Sequence, residues 1–113
     1  MTPETVQTAI REIVSLICDR QFAAALQRCA MSRLTESDIQ KVIDDYGRTL
    51  SRPPVEAVQF DDIVNVEGRS EPVLSVRVPL WTLEEGRSDL TIELTIMQKA
   101  DGLRIELDDL GVL

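Results

Sequence analysis

The chain of 113 residues contains no histidine. That excludes imidazole general bases, His-activated nucleophiles and most zinc sites in one step. Cysteine is nearly absent too. Cys18 and Cys29 do not form a metal spacing by themselves, and both fall near apolar stripes, where buried free thiols are expected. Basic residues are scarce: 12 Lys and Arg face 20 Asp and Glu, a net charge of −8. Nucleic acid is therefore not an expected partner, because phosphate binding requires Lys and Arg to displace counterions. No apolar run approaches the ~20 residues that span a bilayer, so no membrane partner is expected. No basic segment leads into an apolar core with a small-residue cleavage site, so the expected location is the cytoplasm. No calcium-loop spacing of the D-x-D-x-D-G kind occurs either. No metal, cofactor or catalytic residue is expected.

Enough apolar residues remain for a core. They make up 43%, within the globular range, and the length suits a single domain, 1–113. The clearest pattern lies at 79–96. Leu74, Val76, Val78 and Leu80 alternate before a turn, and Leu90, Ile92, Leu94 and Ile96 alternate after it. One hairpin register sets Val78 opposite Ile92 and Arg77 opposite Glu93, with every apolar residue on one face; registers two residues or more away also keep the faces. The first leaves Glu84-Glu85-Gly86 as a three-residue loop, with Gly86 at the left-handed position.

Helices are predicted over roughly 3–47. Thr2-Pro3-Glu4 opens the first, and Val6, Ile10, Ile13, Val14 and Ile17 form its apolar stripe. A short second helix covers roughly 21–29, with Phe22, Leu26 and Cys29 on one face. Thr35 caps a third, whose apolar face is Ile39, Val42, Ile43 and Tyr46 and whose stop is Gly47. Residues 48–54 are a connector, because Pro53-Pro54 forbids helix there. An antiparallel sheet then occupies roughly 57–110. Its first strand lies within 57–66, with a bulge or bend at Asp61-Asp62. The hairpin gives the next two, and Leu103, Ile105 and Leu107 mark a fourth after a turn at Lys99-Ala100-Asp101-Gly102. The register of that last pair is left open. The expected fold class is α+β: three helices packed on one face of a curved, four-stranded antiparallel sheet.

The segments R-L-T-E-S-D-I-Q-K-V-I-D-D-Y-G-R-T-L, P-P, P-L-W-T-L-E-E-G-R-S-D-L-T-I-E-L-T-I and D-D-L-G-V-L resemble a family of short bacterial proteins that carries a domain of unknown function. The W-T-x-E-E-G-R-S-D-L hairpin is the most specific part. Helices followed by a curved sheet also look like the NTF2-like, or cystatin-like, cone. The family resemblance implies no activity. The fold resemblance implies a pocket between helices and sheet, in which NTF2-like enzymes place an Asp or Tyr base; Tyr46 is the residue here that would line it. The preferred reading makes Tyr46 a core residue whose hydroxyl reaches the surface.

Two surface groups stand out. Trp81, Glu84, Glu85, Arg87, Ser88 and Asp89 gather at the hairpin tip, where they read either as a recognition patch or as local turn chemistry. Asp61 and Asp62, with Glu56, Glu67 and Asp108-Asp109, read as a carboxylate site or, preferably, as a solvated edge and bulge. The outward sheet face should show Ser75, Arg77, Pro79, Trp81, Thr91, Glu93, Thr95, Met97, Arg104 and Glu106. The candidate partner-binding residues are thus Trp81, Arg77, Glu93, Glu84, Glu85, Arg87 and Asp89, serving a protein partner or a homodimer. The expected function is a non-catalytic interaction module, in one form a bacterial immunity or regulatory protein whose acidic surface meets a basic partner. The alternative is an NTF2-like enzyme or small-ligand binder.

Overall fold

The computed structural model describes residues 2–54, 63–65, 68 and 71–112. The first helix, α1 (Pro3–Cys18), begins where predicted: the Thr2 hydroxyl accepts the Thr5 N–H at 3.2 Å, and Pro3 occupies the first turn. It ends on Arg20 at φ 59, a left-handed residue without the freedom of glycine. The Arg20 and Gln21 N–H groups close on the carbonyls of Ile17 and Leu16, satisfying the helix end. Helix α2 is the short segment Phe22–Gln27. Helix α3 (Glu36–Tyr46) opens with a capping box: Thr35 accepts from the Asp38 N–H at 3.1 Å, and Asp38 accepts from the Thr35 N–H at 2.9 Å. Gly47, at φ 76, closes it.

The fold is α+β, but the sheet is larger than the sequence pattern shows, and it is mixed. It comprises β1 (Met31–Ser32), β2 (Leu50–Ser51), β3 (Ile63–Asn65), β4 (Val73–Thr82), β5 (Gly86–Lys99) and β6 (Gly102–Val112). The order is β1-β6-β5-β4-β2, with β3 also on β4, and β1 runs parallel to β6. The four antiparallel strands expected within 57–110 are β3–β6, and the count is corrected to six among the described residues, starting at Met31, by the two short strands β1 and β2. The stretch 3–47 holds one strand, and the connector 48–54 holds another. Two-residue strands are too short to show any alternation, so periodicity cannot reveal them. Predicted strand 57–66 is represented by Ile63–Asn65; Glu56, Asp61, Asp62 and Glu67 lie outside the described residues.

The β4–β5 register is the first one predicted over most of its length: Val78 opposes Ile92 and Arg77 opposes Glu93. It then shifts between Pro79 and Trp81, so that Trp81 opposes Arg87 and Thr82 opposes Gly86. The loop is thus Leu83-Glu84-Glu85 rather than Glu84-Glu85-Gly86. Gly86 keeps its positive φ of 75, but as the first residue of β5. Ser88 supports the shift: its buried hydroxyl donates to the Leu80 carbonyl at 2.7 Å and accepts the Leu90 N–H at 3.2 Å. The irregularity therefore leaves these backbone groups paired. The β5–β6 pair sets Ile96 opposite Ile105 and shifts at Asp108, beyond which Ile92 opposes Leu110.

The α1 stripe is buried as predicted, along with Phe22 and Ala25 of α2 and Ile39 and Ile43 of α3. These residues form one cluster with Val76, Leu80, Leu90, Ile92, Leu94, Ile96, Ile105, Leu107 and Leu110 of the sheet. The three described helices therefore cover a single sheet face and leave the opposite face uncovered.

Candidate functional site

Strand alternation sends Ser75, Arg77, Pro79 and Trp81 of β4 away from the helices. Their partners on β5 and β6 follow the register. One row crosses the whole sheet: Val64, Ser75, Thr95, Glu106 and Met31 are successive cross-strand neighbours. Its ends are apolar and open, Val64 62% and Met31 55% exposed. The adjoining row holds Arg77 and Glu93, whose Nε and Oε1 lie 3.0 Å apart. Arg104 reaches Glu106 at 3.5 Å, and the Thr95 hydroxyl donates to Asp108 at 2.6 Å. The next row is low: Pro79, Thr91 and Gly111, with Thr91 buried at 3%. Trp81 and Arg87 close the face toward the hairpin tip. Val73 lies on this face as well and is buried.

The structure thus brings Arg77, Glu93, Trp81 and Arg87 onto one surface. Glu84 and Glu85 have other work. Glu84 accepts the Thr49 N–H at 2.8 Å and the Thr49 hydroxyl at 2.9 Å. Glu85 accepts the Tyr46 hydroxyl on both oxygens at 2.9 Å and the Thr82 hydroxyl at 3.2 Å, with Arg48 Nε 3.9 Å away. The Thr49 N–H, together with its hydroxyl and nearby Arg48, holds the Glu84 carboxyl below the usual range. Desolvation, followed by the bond to Glu85, pushes the Tyr46 phenol up. The tip therefore fastens the end of α3 and the start of the connector, and Tyr46 is its anchor. Asp89 is exposed, and its carbonyl accepts the Thr91 hydroxyl at 3.2 Å. Arg48 and Thr49 carry no sequence signal for this task, since the contact spans the α3-to-hairpin separation.

Other nucleophilic or concave features are modest. Burial pushes the Cys18 thiol up to about 11, helped by neighbouring Asp19, and Cys18 donates to the Ser51 carbonyl at 3.2 Å. Cys29 is raised by burial as well. Both are protonated, inert thiols at neutral pH. Arg52 bonds the Asp19 carboxylate and holds its pKa down. An open groove of about 530 Å³ lies along α1, lined by Glu4, Thr5, Thr8, Ala9, Glu12 and Leu103. Among the described residues no group of three or more Cys, Asp or Glu is arranged to hold a metal ion. None of the described helices is long and apolar enough to cross a membrane.

A family model described as a domain of unknown function, DUF7668, matches residues 14–113. The match takes in all of α2 and α3 and the whole sheet, with the last turns of α1. No curated protein and no solved structure matches the chain.

Proposed function

The chain belongs to the DUF7668 family, a domain of unknown function, and from that premise we propose that it is a non-catalytic interaction module that docks a protein on the outward face of its sheet. One contrast carries this reading. The inner face is closed by aliphatic side chains, with Ile10, Ile17, Ile39, Leu80, Leu90, Ile92, Leu94 and Ile96 all at 0% exposure. The outward face presents Trp81 and an ordered Arg77–Glu93 pair between open apolar ends. Aromatic and arginine side chains are the usual anchors of protein interfaces.

The finer reading is an NTF2-like cone in a bacterial, cytoplasmic immunity or regulatory protein. The helix-then-curled-sheet order supports the cone. The net charge of −8 supports a protein partner over nucleic acid, and a basic protein would meet the acidic surface outside the docking face. A small-ligand role would require space between helices and sheet, where the aliphatic core is packed.

The test is comparative capture from the native host. Wild type, Arg77→Asp, Trp81→Ala and Gln40→Ala on the exposed side of α3 serve as baits. Proteins retained by wild type and Gln40→Ala but lost by the two face variants support the reading. Identical capture by all four baits overturns it.

A further inference from the structure

The charges on the outward face are arranged in a way that identifies a partner. Arg77, Arg87 and Arg104 stand among Glu93, Glu106, Asp89, Asp108 and Asp109, so this face carries both signs on a chain whose net charge is −8. A strongly basic or acidic partner gains little from such a patch. A second copy gains more. Arg77 and Glu93 are direct cross-strand neighbours on β4 and β5. A two-fold axis parallel to these strands, passing between them in the interface plane, lays Arg77 over Glu93 of the partner subunit and Glu93 over Arg77 of the partner subunit. The same rotation lays Ser75 over Thr95 and exposed Val64 over Glu106, one strand short of exposed Met31.

We propose that a second copy of this chain docks face to face on this surface with that two-fold symmetry. The proposal rests on the reading of the outward face as the docking surface, and it names the occupant. Closed two-fold assembly lets one self-complementary patch serve both partners. Self-repulsion does not prevent it, since salt screens charges beyond ~8 Å and each Arg77 meets a Glu93. Strands spaced ~4.8 Å apart, rising ~3.3 Å per residue, give this face roughly 600 Å². That is somewhat less than the ~800 Å² per partner of a standard interface, so the dimer is reversible.

Sedimentation velocity over a wide concentration range tests it. Wild type should pass from the mass of one chain to that of two. Arg77→Glu and Glu93→Arg should each associate about tenfold or more weakly, because like charges then face each other. Mixing the two single variants should restore the dimer, because each then supplies the charge its partner needs. A change confined to the fold of one chain cannot be repaired by mixing. Ser75→Arg, at an exposed position in the centre of the face, is a second disruption that leaves the Arg77–Glu93 pair in place. Circular dichroism confirms that each variant is folded. Wild type that stays monomeric at every concentration overturns the second copy as occupant, and comparative capture then judges the face by itself. A dimer unchanged by the single variants and Ser75→Arg also overturns the proposal.

Discussion

The Tyr46 hydroxyl donates to both carboxylate oxygens of Glu85, each at 2.9 Å, across 39 positions of sequence. The last residue of α3 is thereby tied to the tip of the β4–β5 hairpin. Glu84 repeats the arrangement one residue earlier by holding the Thr49 N–H and hydroxyl. The Leu83 N–H returns a bond to the Thr49 carbonyl at 2.9 Å. Two adjacent acids in an exposed turn look like free recognition charges. Here both carboxylates are engaged by bonds within the protein itself.

This latch makes stability sensitive to acid. The Glu84 carboxyl sits below its ordinary value of 4.5, chiefly because the Thr49 N–H bonds its ionised form. The folded state therefore binds that proton less readily than the unfolded state. The resulting stability is present above the unfolded value and is lost as pH falls through the lower, folded value. Urea midpoints measured from neutral pH downward should drop more steeply for wild type than for Glu84→Gln. The variant should also start lower at neutral pH. Asp19, held down by Arg52, contributes in the same direction to both proteins and cancels in the comparison. Parallel curves would show that Glu84 is not linked to folding.

The helices and the central hairpin were legible because each repeats a pattern over many residues. Val6 to Ile17 keep helical spacing, and Leu74 to Leu80 keep a period of two. The shift near the hairpin tip was not legible, because Arg87-Ser88-Asp89 has no apolar residue to mark a face. The shift in β6 did leave a mark. Apolar positions run Leu103, Ile105, Leu107 and then Leu110, and that change of spacing coincides with the irregularity at Asp108. β1 left no local signal, since Met31 and Ser32 pair with β6 only because the chain passes there after α2. The outward face inherits the same limit: Trp81, Arg77 and Glu93 could be placed by alternation, but Met31 needed the fold.

Gly86 should resist substitution because of its backbone rather than for lack of space. A Cβ there would lie 3.6 Å from the Trp81 ring, an ordinary contact, but at φ 75. Holding a side chain in the left-handed region costs ~1–2 kcal/mol, and Gly86→Val should destabilise by about that much. Gly111 is the control. It has open space around it and no positive φ, so Gly111→Ala should leave the midpoint of chemical denaturation nearly unchanged. Equal effects at the two positions would remove the conformational argument.

The folding unit includes more of α1 than the family match does. Residues 14–113 match, yet Val6, Ile10 and Ile13 lie earlier and are only 3%, 0% and 1% exposed. They belong to the same cluster as Leu94 and Ile96 of the sheet. Truncating one buried aliphatic side chain to Ala typically costs ~2–5 kcal/mol, depending on how far the site can collapse. Whole domains are stable by only ~5–15 kcal/mol, so losing three such residues together, about 6–15 kcal/mol, is comparable to the whole. A chain trimmed to 14–113 should therefore melt without a cooperative transition, and Ile10→Ala in the full chain should lose ~2–5 kcal/mol in denaturant titrations. A trimmed chain that melts cooperatively near the full-length midpoint would make the first turns of α1 dispensable. That result would also leave part of the inner face open, as a second surface beside the outward one.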